Sequence, residues 1–159
     1  MDLPKHARTW IFQSNRKLNQ EEVEYLNKEL GAFVKEWAAH GNDLYGQFEV
    51  IYDLFILIAV DENRAPASGC SIDTLNRKIQ ELGDKLNVNF FDRLQIAYEA
   101  TDTSIHIASM EQFKQKLSAG ELNENTVVYN NLVANIDEFE DNWRTTVANS
   151  WHKNLMSLI

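Results

Sequence analysis

The chain has 159 residues, 44% of them hydrophobic and 25% charged, which suits one domain around one core and excludes a disordered or fibrous class. A net charge of −9 disfavours phosphate backbones and anionic membrane surfaces, both of which are bound through Lys and Arg. One cysteine cannot form an internal disulfide, residues 1–6 carry no apolar leader, and no apolar run is long enough to span a bilayer. A cytoplasmic protein is therefore expected, with no nucleic acid or membrane among its partners.

In chain order, Thr9 to Gln13 is aromatic and β-branched and predicts a first strand. Asn19 with Glu22 three residues on has the form of a capping box. Val23, Leu26, Leu30, Phe33 and Trp37 then mark one stripe of a helix from Gln20 to Ala39, ended by His40-Gly41-Asn42. Gly31 inside that helix predicts close packing, since it costs about 1 kcal/mol against Ala. Gln47 to Tyr52 and Leu54 to Asp61 predict two strands joined by a tight reversal at Tyr52-Asp53-Leu54, with a single bent strand as the alternative. Apolar residues on both faces of the second make it a central strand covered on both sides, with the last helix or a second subunit expected on the face the other helices leave open.

A loop from Asn63 to Gly69 leads to a second helix capped by Ser71 or Asp73, with Ile72, Leu75, Ile79, Leu82 and Leu86 inward. Phe90-Phe91 with Leu94 to Tyr98 predicts a fourth strand, paired to a fifth at Ser104 to Ala108 across Thr101-Asp102-Thr103. Ser109 to Gln112 is a further capping box opening a short helix, with Gly120 just past its end. Thr126 to Tyr129 predicts a sixth strand, and Leu132, Ile136, Phe139, Trp143 and Val147 a last helix. The result is one α+β domain over residues 1–159. Its core is a ferredoxin-like split βαβ arrangement (β-α-β-β-α-β), with a C-terminal β-α-β-α extension.

Leu54 to Glu62 has the form of a Walker B strand, a greasy strand ending in two carboxylates. No G-x-x-x-x-G-K-[ST] accompanies it to cradle a nucleotide phosphate, so it reads as a core strand ending in solvated acids. Cys70 falls beside a helix start, where amide N–H groups and the helix dipole favour the thiolate. Ser68 and Gly69 would let a substrate approach the backbone, and free N–H groups there could hold an oxyanion. His6, His40, His106 and His152 are the candidate bases, all distant in sequence. The bland reading is a small cysteine packed at a strand–helix junction. Asp61, Glu62 and Asp73 flank the same loop and form a candidate Mg²⁺ or acid–base set, Asp73 having a helix-capping role as its alternative. Arg16, Arg93 and Arg144 could bind an anion or sit in surface ion pairs, and Trp151-His152 could pack or meet a partner.

Gln13-Ser14-Asn15-Arg16, Asp61-Glu62, residues 67–73, Phe91-Asp92-Arg93, Asn130-Asn131-Leu132 and Ser150-Trp151-His152-Lys153 together resemble a family of small bacterial proteins over nearly the whole chain. Its members often carry the label "ABC transporter ATPase". The resemblance brings no site residues with it, and this chain lacks the L-S-G-G-Q signature of such ATPases. The leading expectation is thus a module binding a small molecule or a protein, with no cofactor and with a homodimer through the sheet as one assembly. Its ligand side would include Ser68, Gly69, Ser71 and Arg16. The rival is an enzyme, either a Cys70 thiol hydrolase or a metal-assisted hydrolase using Asp61, Glu62 and Asp73. RNA binding on an exposed sheet face is opposed by the charge.

Overall fold

The computed structural model describes residues 1–39 and 45–156. The chain is of mixed α+β class. It divides into two compact units, Met1–Asp92 with Ala134–Asp137, and Arg93–Val133 with Glu138–Ile159. No helix among the described residues is long and apolar enough to cross a membrane.

The first unit opens with β1 (Arg8–Gln13) and α1 (Gln20–Ala39). The helix starts where the capping box closes: Glu22 N donates to Asn19 Oδ1 at 2.8 Å and Asn19 N to Glu22 Oε1 at 3.0 Å. Leu26, Leu30 and Trp37 of its stripe are buried. A Cβ on Gly31 would lie 3.9 Å from Phe48 Cε1, an ordinary contact, so the tight approach expected there is absent. The expected helix stop at His40-Gly41-Asn42 lies outside the described residues.

β2 (Gly46–Ile51) and β3 (Phe55–Val60) form a hairpin whose two turn residues, Tyr52 and Asp53, have φ of 56° and 55°. Leu54 N donates to Ile51 O at 3.1 Å, so a two-residue turn of type I′ is made without its usual Asn-Gly. β3 lies between β1 and β2, antiparallel to both, and all six of its residues are buried. Ile56, Ile58 and Val60 enter a core with Leu26 and Leu30 of α1, while Ala59 packs with Ala7 and Ile136.

α2 (Gly69–Leu86) adds Leu75, Ile79 and Leu82 to that core. Its cap is Ser68 rather than Ser71 or Asp73. Ser68 has the extended backbone of a cap residue (φ −75°, ψ 165°), and its Oγ accepts from Ser71 N at 3.1 Å. The helix ends at Asn87 in the left-handed region, φ 56°, and Val88 folds back over Gly83, where an added Cβ would meet Val88 O at 2.8 Å.

A ferredoxin-like split βαβ core takes its fourth strand into the same sheet as the first three. β4 (Gln95–Glu99) instead pairs with β5 (Ile105–Ser109) and β6 (Val127–Tyr129) in the second unit. The free edge of β1 is taken by residues 134–136: Thr9 N donates to Ala134 O and Ile136 N to Ala7 O, both at 3.0 Å, around an antiparallel bridge of Arg8 to Asn135. A strand edge carries one ladder, and this one is already filled.

The second unit's sheet has the order β5-β4-β6-β7, with α3 (Met110–Ser118) packed on it through Phe113 and Leu117. Ser109 and Gln112 close the expected capping box. The expected last helix is broken. Only α4 (Ile136–Asn142) is helical, Arg144–Thr146 is strand β7, α5 (Lys153–Met156) follows, and Leu132 is 72% exposed. Arg144 explains the break: paired opposite Tyr129 on β6, it grips Glu99 with Nε at 2.7 Å and Nη2 at 2.8 Å. That two-point grip and the β6 ladder hold residues 144–146 extended, and Ile136, Trp143 and Val147 are buried without sharing one helix face.

Candidate functional site

α1 and α2 lie side by side in the first unit and leave a groove of about 860 Å³ between them. Its floor is apolar, made by Ala32, Phe33 and Trp37 of α1, with the Phe33 and Trp37 ring centroids 5.4 Å apart. These residues lie along the stripe that buries Leu26 and Leu30 below. Trp37 belongs to that core and is 5% exposed, while Phe33 packs against it and stays partly accessible. Trp37 Nε1 is buried and finds no hydrogen-bond partner among the described residues.

The other wall is the first half of α2. Ser68, Cys70, Ser71, Thr74 and Arg77 line it. Ser68 Oγ and Ser71 Oγ are 2.9 Å apart, Thr74 Oγ1 donates to Cys70 O at 2.8 Å, and Arg77 Nη2 reaches Thr74 Oγ1 at 3.4 Å. The Cys70 side chain is exposed, and a Cβ on Gly69 would meet nothing within 4 Å, so the helix start is open. The ion pair of Lys78 Nζ with Glu29 Oε1 at 3.6 Å bridges the helices. The groove therefore offers aromatic surface, hydroxyls, a thiol and a guanidinium together, a set that can hold an amphipathic ligand.

Asp61 and Glu62 are placed otherwise. Asp61 is 6% exposed rather than solvated. Its Oδ1 accepts from His6 Nε2 and Asn63 N, each at 3.1 Å, and its Oδ2 lies 3.5 Å from Arg64 Nε. Glu62 Oε2 accepts from Ala67 N at 3.1 Å, and its Oε1 lies 3.6 Å from Arg8 Nη1. The pair thus staples the loop that delivers Ser68. Asp73 is exposed, and among the described residues no three His, Cys, Asp or Glu side chains are grouped to hold a metal ion.

Arg16 does not line the groove. It binds Glu22 through both nitrogens, at 2.9 and 2.7 Å, and Leu86 O at 2.8 Å, tying the start of α1 to the end of α2. That grip, with the Asn19 amide, pulls the Glu22 carboxyl down to about 2. Arg144 is likewise spent on Glu99, and Arg93 is exposed.

The histidines have partners of their own: His6 with Asp61, His106 with Ser104 Oγ at 2.9 Å, and His152 with Ser150 Oγ at 2.7 Å. His40 lies outside the described residues, and no described histidine lines the groove. Trp151 stacks on the buried His152 ring, centroids 3.9 Å apart, which makes this pair a packing element. Phe33 and Trp37 carry no site signal in the sequence because both fall on the core stripe of α1, and Arg77 carries none because it falls on the polar face of α2. Comparisons with protein families, with curated proteins and with solved structures find no match.

Proposed function

We propose that this protein is a cytoplasmic binding module whose ligand lies in the groove between α1 and α2. The observation that carries the reading is the apposition of Phe33 and Trp37 with Ser68, Cys70 and Ser71 across one open cleft. An amphipathic small molecule or peptide segment would set its apolar part on the rings and its polar end at the start of α2. The first unit is then a split βαβ core of ferredoxin-like kind whose edge position is filled from residues 134–136 rather than by its own fourth strand. ATP hydrolysis, suggested by the family label, is set aside because the sequence supplies no phosphate loop.

The test uses Cys70 as a reporter. The full chain is labelled there with a small fluorinated tag, and a metabolite and peptide collection is screened by ¹⁹F resonance. Ligands that shift the tag should lose affinity in Phe33→Ala and Arg77→Ala. Binders that leave the tag unmoved and are indifferent to both substitutions would place the binding surface elsewhere.

One observation favours the thiol enzyme over the metal enzyme as the second reading. Cys70 opens on the groove, whereas Asp61 and Glu62 are occupied by His6, Arg64, Arg8 and backbone amides. Alkylation of Cys70 by iodoacetamide at the rate of a free model thiol would end that reading while leaving the binding one intact.

A further inference from the structure

A second cleft lies wholly in the second unit, against β5 and the outer face of α3. It holds about 430 Å³ and is lined by Tyr98, His106, Gln112, Gln115, Lys116 and Glu121, among others. Two features distinguish it from an ordinary surface hollow. Tyr98 is only 8% exposed, yet its hydroxyl makes no hydrogen bond among the described residues, and the cleft is the opening it lines. His106, stacked on Tyr98 at 5.8 Å, is held in one tautomer by a relay along the hairpin.

The relay follows from proton counting. Ser104 Oγ lies 2.5 Å from Asp102 Oδ1 and 2.9 Å from His106 Nε2. Hydrogen bonding from Ser104 holds the Asp102 carboxyl below its ordinary range, so it is ionised at neutral pH and can only accept. The single hydroxyl proton therefore goes to Asp102, and Ser104 Oγ accepts from Nε2–H of His106. In the neutral imidazole, Nδ1 is then an acceptor. Orienting a ring through its far nitrogen is the device proteins use where the near nitrogen has a task.

We propose that this cleft binds a neutral polyhydroxylated ligand, one or two saccharide rings in size. The chemistry of the lining selects that class. Lys116 Nζ and Glu121 Oε2 are 3.3 Å apart and cancel each other's charge, which leaves an anion with no uncompensated cation. Gln112 spends its Oε1 on Ser109 N and keeps its amide N–H groups. Gln115 keeps both ends of its amide free among the described residues. With the Tyr98 hydroxyl and His106 Nδ1, the wall alternates donors and acceptors, as sugar hydroxyls do.

The experiment titrates the full chain, ¹⁵N-labelled, with glucose, galactose, N-acetylglucosamine and maltose, using inorganic phosphate and acetate as controls. At least one sugar should move the Gln112 and Gln115 side-chain amides and the His106 ring nitrogens, saturating at about 1–10 mM. His106→Ala and Gln115→Ala, both at exposed positions, should each weaken binding at least about tenfold. Ser104→Ala should change the ¹⁵N tautomer signature of His106 and weaken binding with the fold intact. No response to any sugar, a larger response to phosphate or acetate, or full affinity in Gln115→Ala would overturn the proposal.

Discussion

Ser150 Oγ sits 2.7 Å from Nδ1 of His152, and neither residue is more than 7% exposed. Burial drives the imidazole pKa from its ordinary 6.5 down to about 4, so the folded protein holds the ring neutral. The unfolded chain binds a proton there that the folded one refuses. Stability is therefore full above pH 6.5 and falls as pH drops from about 6.5 to about 4, by up to about 3 kcal/mol at 1.36 kcal/mol per unit. Melting temperature against pH should show this slope in the wild-type chain and a flatter one in His152→Gln. An unchanged slope in the variant would assign the loss to other groups.

Glu99 is held from two sides, by Arg144 and by the Tyr129 hydroxyl at 2.6 Å, and its side chain is 9% exposed. Hydrogen bonding from Arg144, chiefly, keeps its carboxyl below the ordinary range despite burial. Arg144→Met should cost about 2 kcal/mol in urea unfolding, since it strands a largely buried carboxylate, discounted because Arg144 itself is half exposed. The double variant Arg144→Met/Glu99→Gln should recover part of that loss. With Glu99→Gln measured alone, a double-variant loss equal to the sum of the two single losses would show that the pair carries no coupling.

Gly83 is required by contact rather than by its own dihedral angles. Alanine would favour the helix by up to about 1 kcal/mol. Its Cβ would also fall 2.8 Å from Val88 O and 3.3 Å from Phe90 Cδ2, both part of the chain reversal after α2. Overpacking of that kind costs about 1–3 kcal/mol, so Gly83→Ala should lower stability on balance. Gly69→Ala, with nothing near its Cβ, is the matched control and should not.

The Tyr52-Asp53 turn asks two side-chain-bearing residues to take φ near 55°. Tyrosine is poorly suited to that region, and it is half exposed here. Tyr52→Asn/Asp53→Gly should raise the midpoint of chemical unfolding by about 1 kcal/mol equivalent without altering the β2–β3 register. A loss of stability would mean that the contacts of Tyr52 outweigh its backbone strain.

Much of the local structure was legible in the residues because its causes span only a few positions. Asn19 and Glu22, three apart, write the start of α1, and Ser109 and Gln112 do the same for α3. The continuous apolar run through Val60 reads correctly as the middle strand of a sheet. The failures fall where distant residues compete. Trp143 and Val147 fit a helical period, but Arg144 is drawn to Glu99, 45 residues away, and the helix stops short. Leu94 to Tyr98 has the look of a fourth strand for the first sheet, but residues 134–136 already occupy the edge of β1.

The same division holds for the candidate sites. Cys70 beside a helix start, the Ser68-Gly69 approach and the acidic Asp61-Glu62 tail were all visible as residue types at short spacing. Their partners were not. Whether Cys70 faces aromatic rings and Asp61 faces His6 depends on which surfaces α1, α2 and the first residues present to one another. A sequence determines caps, turns and apolar faces, because these are settled by steric and hydrogen-bonding forces within about one turn or one hairpin. Which edge each strand finds, which charge each arginine meets and which groove stays open are settled by long-range burial, and only the folded chain decides those.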